Sequence, residues 1–216
     1  MKYTLSLTMI LLCFISFGQS KIFIEAKVVV INPNDTLYID VIALANLFKP
    51  EIIDNSSFSH GVRYLNNGEN KGISASRIFS LEFIDTTRYI QKRRYINSRM
   101  VYQKINKESR PQSKYSTLIE EITTGHLSWY IEYTSNIYGT GIGKKYLFIK
   151  DGELNKGIAF HSFKKSLMKL MSNNPELVEK IKNTKFSKKP KEFQRQALNF
   201  INEYRHRLNN YKTNIL

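Results

Sequence analysis

The spacing of apolar residues changes partway along the chain, and this change most constrains the fold. From residue 21 to about residue 157, short apolar runs alternate with polar positions, as in half-buried β-strands. From residue 162 to residue 208, apolar residues recur every three or four positions, as in amphipathic helices. Such helices must bury their apolar stripes, and the preceding strands are the natural partner. We therefore expect an α+β protein, with a curled, mostly antiparallel sheet (a small barrel or roll) followed by C-terminal amphipathic helices.

Local patterns in the first half predict individual strands. The apolar run 21–31 and the alternating run 36–41 flank the turn cluster Asn32-Pro33-Asn34-Asp35, which predicts a hairpin. Residues 41–48 also fit helical spacing, so a short helix is an alternative there. Residues 100–105 alternate and predict another strand.

Local patterns in the last third predict helices. Asn174 followed by Pro175 is typical of a capped helix N-terminus. A later helix begins near Pro190, and its apolar stripe consists of Phe193, Ala197, Ile201, Tyr204 and Leu208. We divide the chain into a signal peptide over 1–20, a β-rich domain over 21–157, and a helical segment over 158–216 packed on that domain.

The first twenty residues have the pattern of a secretory signal. Lys2 supplies a positive start, a short apolar run follows, and Ser16-Phe17-Gly18 gives a small-x-small cleavage pattern. The apolar run is shorter than the roughly 20 residues of a spanning helix. We expect cleavage before Gln19 or Lys21, a periplasmic or secreted protein, and no transmembrane segment in the mature chain.

Cysteine and histidine usage predicts the absence of a metal or cofactor. The single cysteine, Cys13, lies in the signal, so the mature chain has no thiol for a disulfide or a thiolate metal site. An exported protein also lacks a supply of ATP or nicotinamide. The four histidines are not spaced in the sequence as metal ligands usually are. They are His60, His126, His161 and His206.

The chain is strongly basic, with 33 Lys and Arg against 18 Asp and Glu and a formal charge of +15. The charge is uneven: residues 91–114 carry 8 basic and 1 acidic side chains, whereas residues 115–143 contain no Lys or Arg. A basic excess favours anionic partners, here an anionic glycan or an anionic lipid surface, with nucleic acid less favoured. The alternative is a composition rich in Lys, Asn and Ile with no selected binding site.

One stretch interleaves arginine and tyrosine and is the best binding candidate. Cationic and aromatic side chains together suit acidic sugars or single-stranded nucleic acid. The alternative is an edge hairpin kept soluble by its charges. The candidate residues are Arg88, Tyr89, Lys92, Arg93, Arg94, Tyr95, Arg99 and Tyr102.

Three glutamates lie in the region without Lys or Arg. Glu120 and Glu121 are adjacent, so on a strand their side chains point to opposite faces and do not pair. Glu132 could still approach another carboxylate in the folded chain, so a hydrolase that uses two carboxylates remains an alternative. A cluster of aromatic residues lies nearby in the sequence and consists of Trp129, Tyr130, Tyr133 and Tyr138. Such a cluster could bind a sugar or pack in the core.

The glycine-rich segment 139–145 does not match a phosphate-binding loop. A Walker A loop needs Gly five positions before the Gly of its Gly-Lys pair, where this chain has Tyr138. Lys145 stands where that motif has Ser or Thr, and a strand rather than a helix is expected next. We interpret the segment as a connection between two strands.

The chain resembles small secreted proteins of Bacteroidota-type bacteria. The resemblance lies in VINPNDTLYI at 30–39, STLIEEITTGHLSWYIEY at 116–133, and YLFIKDGEL at 146–154 with the helices that follow. Asn174 stands where relatives often have Cys before Pro-Glu-Leu. The resemblance implies an exported α+β protein, and it carries no catalytic residue over to this chain.

These observations favour a non-enzymatic binding or interaction module of the cell envelope with a basic surface. One alternative is a secreted hydrolase that acts on envelope or environmental glycan through carboxylates near the aromatic strand. Another is a protein attached to the envelope surface through its C-terminal helices. An enzyme would need a concave pocket with convergent polar groups, which distinguishes the first alternative.

Overall fold

The strands of the chain extend from residue 21 to residue 158. The structure is a computed structural model that describes residues 21–31, 35–46, 49–84, 93–105, 116–135, 142–158 and 160–213, so the predicted signal lies outside it. The strands are β1 (Lys21–Val30), β2 (Asp35–Asn46), β3 (Lys49–Ile53), β4 (Gly61–Asn66), β5 (Glu69–Ser74), β6 (Ile78–Phe83), β7 (Arg94–Asn97), β8 (Leu118–Thr123), β9 (Leu127–Ser135), β10 (Ile142–Lys150) and β11 (Glu153–Ile158).

The helices lie mostly after the strands. They are α1 (Ser98–Tyr102), α2 (Phe160–Leu170), α3 (Pro175–Asn183) and α4 (Pro190–Thr213), and short 3₁₀ turns cover Asn55–Phe58 and Ala75–Arg77. Asn174 accepts a hydrogen bond from the backbone N–H of Leu177 at 3.1 Å, with Pro175 in the first helical position. The predicted cap of α3 is therefore confirmed.

Ten strands form one antiparallel path in the order β11-β10-β9-β8-β7-β6-β1-β2-β4-β5, and β3 pairs with β2 at its side. The α+β class is confirmed. The expected closure into a small barrel or roll is not found among the described strands, because β11 and β5 end the path without pairing to each other. The β1–β2 hairpin forms as predicted, with Val30 opposite Asp35, and β2 continues as strand to Asn46 rather than turning helical.

The sheet bends so that distant strands approach each other without pairing. Ser59, just before β4, accepts a 3.0 Å hydrogen bond from the backbone N–H of Leu118 in β8. Its hydroxyl also donates to the carbonyl of Tyr133 in β9, at 3.0 Å. Four strands separate β4 from β8 in the sheet order, so these bonds draw the two halves of the sheet together.

The larger core fills the space between the bent sheet and the C-terminal helices. Phe163 of α2 and Phe193 of α4 meet with ring centroids 4.6 Å apart, and Trp129 of β9 lies 5.6 Å from Phe163. Ile201 of α4 has 0% exposure. The predicted stripe of α4 is thus buried from Phe193 to Tyr204, and Leu208 packs partly buried against the same core.

A smaller core covers the opposite face of β7 to β10. Its buried members include Ile119, Tyr130 and Leu147 from the strands, with Val101 from α1 packed over them. Strands β8 to β10 are therefore buried on both faces, which is why their sequences do not alternate cleanly. The strand predicted over 100–105 is wrong: Asn97 caps α1 through the backbone N–H of Arg99, and helix and turn follow.

Candidate functional site

The predicted arginine–tyrosine stretch is only partly described by the structure, and its described members do not share one face. Arg94 is exposed on β7 and forms a 3.0 Å ion pair with Glu121. Arg99 is exposed on α1. The members outside the described residues are Arg88, Tyr89 and Lys92.

The two described tyrosines of this stretch pack in opposite directions. Tyr95 has 0% exposure and packs against Phe58 at 5.4 Å and Phe83 at 5.7 Å in the larger core. Tyr102 is half-buried against the smaller core. The ring of Tyr95 is thus enclosed by protein and cannot stack on a ligand at the surface.

Arg93 turns inward and reaches a cleft. Its Nη1 donates a short hydrogen bond to Oδ1 of Asn55, and the Tyr95 hydroxyl donates to the same oxygen at 3.2 Å. Arg93 Nε lies 3.9 Å from Oε1 of Glu120. The 3₁₀ turn that carries Asn55, the start of β7 and the middle of β8 are joined at this point.

The cleft lies between β8, β9 and β10 on one side and the start of α4 on the other, with a volume of ≈130 Å³. Side chains of one face of each strand reach it, since positions two apart on a strand share a face. Its lining residues are Asn55, Arg93, Glu120, Trp129, Ile131, Tyr133, Lys144, Tyr146, Lys188, Lys191, Phe193 and Gln194.

Glu120 is the single carboxylate in the lining. It is 7% exposed, and its Oε2 accepts a short hydrogen bond from the Tyr133 hydroxyl. Burial, together with the charge of Glu120, raises the pKa of the Tyr133 hydroxyl well above its usual value. Tyr133 is therefore a fixed neutral donor, and the remaining acceptor capacity of Glu120 is on Oε1.

Four cationic side chains line the cleft against that one carboxylate: Arg93, Lys144, Lys188 and Lys191. The three lysines are exposed, which places their charges at the mouth. Lys144 Nζ lies 5.8 Å from the ring centroid of Tyr133. Loss of hydration against the cleft wall lowers the pKa of Lys144, and the charge of Glu120 opposes this shift. The excess of positive charge favours an anionic guest.

Trp129 contributes a donor with no partner. Its side chain has 0% exposure, it lines the cleft, and its Nε1 has no hydrogen-bond partner among the described residues. A buried indole N–H normally finds an acceptor, because leaving it unpaired costs about 1–3 kcal/mol.

The predicted aromatic group divides between the two faces of β9. Trp129 and Tyr133 belong to the larger core and line the cleft. Tyr130 belongs to the smaller core on the opposite face. Tyr138, like the glycines at 139 and 141, lies outside the described residues.

The three glutamates do not converge. Glu121 pairs with Arg94 on the face of β8 opposite Glu120, as strand geometry predicts. Glu132 lies 3.9 Å from Lys145, and neither residue lines the cleft. His126 is exposed in the β8–β9 turn. Within the described residues, the carboxylates of the hydrolase interpretation therefore do not share a cleft.

The described histidines are also dispersed. His60, His126 and His206 are exposed in different parts of the fold, and the side chain of His161 lies outside the description. In the part of the chain that the structure describes, no three His, Cys, Asp or Glu residues are grouped to hold a metal ion.

Some lining residues of the cleft could not be found from local sequence patterns. Trp129, Ile131 and Tyr133 share a strand face, and that alternation is visible in the sequence. Asn55 and Gln194 lie in a 3₁₀ turn and a helix with no motif around them, and only the fold brings them together.

Comparison of the chain with protein-family models, with curated proteins and with solved structures found no match. Among the residues that the structure describes, no helix has both the length and the apolar composition that crossing a bilayer requires. The cleft and its charges are therefore the basis for assigning a function.

Proposed function

We propose that the protein is a non-enzymatic binding module of the cell envelope, exported through a cleaved signal, whose cleft binds an anionic group of its ligand. The observation that carries this proposal is the lining of the cleft, in which four cationic side chains face one carboxylate. An anionic glycan is the favoured partner and an anionic lipid surface is the alternative.

The arrangement of the charges supports binding rather than internal ion pairing. The carboxylate of Glu120 is already held by Tyr133 and lies near Arg93. Lys188 and Lys191 are exposed at the mouth, and no ion pair is described for either of them. Their charges thus remain available to a ligand.

The single tryptophan of the chain makes the test direct, because Trp129 lines the cleft. We would titrate the protein with polygalacturonate, dextran sulfate and neutral dextran while recording tryptophan fluorescence. The two polyanions should change the emission and neutral dextran should not. The affinity should fall steeply with added salt, because ion pairs between exposed charges are screened.

Charge-matched variants separate the cleft from general basicity. Lys188→Glu with Lys191→Glu should weaken polyanion binding by about tenfold or more, because both charges are at the mouth. Lys165→Glu with Lys169→Glu changes the net charge equally on the exposed side of α2, away from the cleft, and should have much less effect. Equal losses in the two double variants would reject the cleft as the binding site.

Anionic vesicles test the lipid alternative with the same proteins. Vesicles that compete with polygalacturonate, and that lose binding in the Lys188→Glu, Lys191→Glu variant, would make lipid the partner. Vesicle binding that is unaffected by this variant would instead support attachment through another surface of the helices.

A further inference from the structure

We infer that the anionic group held in the cleft is a single phosphate that still carries a proton, as in hydrogen phosphate or a protonated phosphate monoester. This inference rests on the proposed function and names the chemistry of the bound group. Three features of the lining support it, which are the space available, the surplus of positive charge and one free carboxylate oxygen.

The space in the cleft limits the guest to a compact group. Its volume of ≈130 Å³ corresponds to about four water molecules at roughly 30 Å³ each. A tetrahedral oxyanion, which has four oxygens around one central atom, is of that size. Pockets that enclose a whole drug-sized ligand are larger, at about 300–1,000 Å³. A larger molecule could therefore place only this one group inside, and the remainder would lie outside the mouth, where Lys188 and Lys191 are exposed.

Cationic donors line this space and favour a guest with more than one negative charge. Arg93 donates to Asn55 through Nη1, and its Nη2 has no acceptor among the described residues. Lys144 lines the cleft, and within the described part of the chain its Nζ has no hydrogen bond or ion pair. Lys188 and Lys191 add two charges at the mouth. A dianion gains more from these charges than a carboxylate or bicarbonate, each of which has a single charge.

Glu120 supplies an acceptor that a fully ionised anion cannot use. Its Oε2 is taken by the Tyr133 hydroxyl, whereas its Oε1 has Arg93 Nε at 3.9 Å, beyond hydrogen-bond distance. In the described part of the chain, the unpartnered side-chain atoms that are sealed from solvent are Trp129 Nε1 and Arg205 Nε, so Glu120 Oε1 remains open to the cleft. Sulfate has the shape and charge of hydrogen phosphate but no proton, so this oxygen would repel it. The P–O–H group of hydrogen phosphate donates to the same oxygen instead.

Calorimetric titration of the intact protein with small anions tests the inference without any variant. At about pH 6 a phosphate monoester carries its proton in about half of its molecules, because its second pKa is about 6. Phosphate and glycerol phosphate should then bind about tenfold or more tightly than sulfate, because a charge-assisted hydrogen bond replaces a repulsion. Dimethyl phosphate, a diester that has no proton, should bind no better than sulfate.

The outcomes separate this inference from the function on which it rests. If polygalacturonate and dextran sulfate bind through the cleft but sulfate binds as tightly as phosphate, the inference is overturned and the anion-binding function stands. If neither the polyanions nor the small anions bind, both fail. Tighter binding of glycerol phosphate than of free phosphate would make the ligand a larger molecule with a terminal phosphate, and the reverse would make it free phosphate.

Glu120→Gln tests the carboxylate that distinguishes the two anions. The variant keeps an acceptor for Tyr133, removes the negative charge and adds an amide donor. Affinity for sulfate should rise, and the preference for phosphate over sulfate should fall by about tenfold. Glu121→Gln is the matched control, because Glu121 is on the opposite face of β8, paired with Arg94, and it should leave the preference unchanged. A preference that survives in Glu120→Gln would overturn the inference.

A surface variant keeps the test informative if Glu120→Gln fails to fold. Lys144 is exposed, so Lys144→Gln should fold normally. It should weaken phosphate and sulfate binding equally, by severalfold, because it removes a charge and leaves Glu120 in place. A loss confined to one of the two anions would contradict discrimination by Glu120. No loss for either anion would place the binding outside the cleft and overturn the inference.

Discussion

Arg205 of the last helix donates a 2.6 Å hydrogen bond from Nη2 to the carbonyl of Leu127 at the start of β9. Its Nη1 donates to Oγ1 of Thr123 in β8, at 2.9 Å. The guanidinium thus joins both sides of the β8–β9 turn to α4. This contact fixes the helix whose first turns form one wall of the cleft.

The first prediction concerns this contact. Arg205→Ala should lower the free energy of unfolding by about 1–3 kcal/mol, because it removes both donors and leaves the Leu127 carbonyl without that partner. Urea denaturation gives the value. Arg195→Ala, on the exposed side of α4, is the control and should change stability by less than about 0.5 kcal/mol. A loss no greater than that of the control would mean that Arg205 does not anchor the turn.

The second prediction tests the glycine beneath Arg205. Gly125 has φ of +136°, and a Cβ there would lie 3.3 Å from the guanidinium. Gly125→Ala should destabilise by about 1–3 kcal/mol through backbone strain. Gly72→Ala is a matched control, because its Cβ would meet only the Val62 carbonyl, at an ordinary 3.6 Å. Equal melting temperatures for the two variants would contradict the strain.

The third prediction tests the packing of α4. Ile201 has 0% exposure, so Ile201→Asp places a carboxylate in the larger core and should destabilise by more than about 3 kcal/mol. Arg195→Asp, on the exposed side of the same helix, should remain within about 0.5 kcal/mol of the parent. Thermal melts of the two variants that coincide would show that the stripe is not buried.

The fourth prediction concerns alkaline pH. Burial, with the charge of Glu120, raises the pKa of Tyr95 above its usual value of 10.0. The phenol therefore stays neutral in the folded protein while it ionises in the unfolded chain, so its contribution to stability is complete below pH 10 and is lost as pH rises beyond it. Urea unfolding measured from pH 8 to 11 should become progressively easier above pH 10.

Two tyrosine variants check the assignment of that slope. Tyr95→Phe should make the fall in stability above pH 10 less steep, while Tyr133, whose pKa is also raised by burial, maintains part of it. Tyr38→Phe should leave the slope unchanged, because Tyr38 is 66% exposed. A slope that Tyr95→Phe does not alter would assign the alkaline sensitivity to other groups.

The fifth prediction is the processing of the chain. The pattern Ser16-Phe17-Gly18 leads us to expect an exported protein that lacks the first eighteen or twenty residues. Intact mass spectrometry of the protein from the envelope fraction measures this. Finding the protein in the cytoplasm with Met1 retained would contradict the expected export.

The elements that sequence reasoning found are those whose cause is local. The β1–β2 hairpin follows from a turn cluster between two apolar runs, and the α3 cap follows from Asn174 and Pro175. The error at residues 100–105 has a local cause too. Val101 and Ile105 fit helical spacing as well as alternation, and the cap formed by Asn97 decides between them.

The cleft was largely beyond sequence reasoning because its contacts are not local. The sequence predicts Arg93 to be a surface cation, but a hydrogen bond to Asn55, 38 residues earlier, turns it inward. The sequence pattern predicts that Tyr95 stacks on a ligand, but its ring lies in the larger core. On a strand that is buried on both faces, alternation does not say which aromatic rings reach a ligand.

The walls of the cleft come from widely separated parts of the chain, from Asn55 in a 3₁₀ turn to Gln194 in α4. Bringing such distant segments together costs loop-closure entropy. This cost is offset only when the last segment docks and its contacts form. A growing or truncated chain that ends before residue 188 would lack one wall, since Lys188, Lys191, Phe193 and Gln194 all follow. Under the proposed function, ligand binding should therefore begin only after the segment that carries Lys188 to Gln194 has docked on the sheet, late in folding.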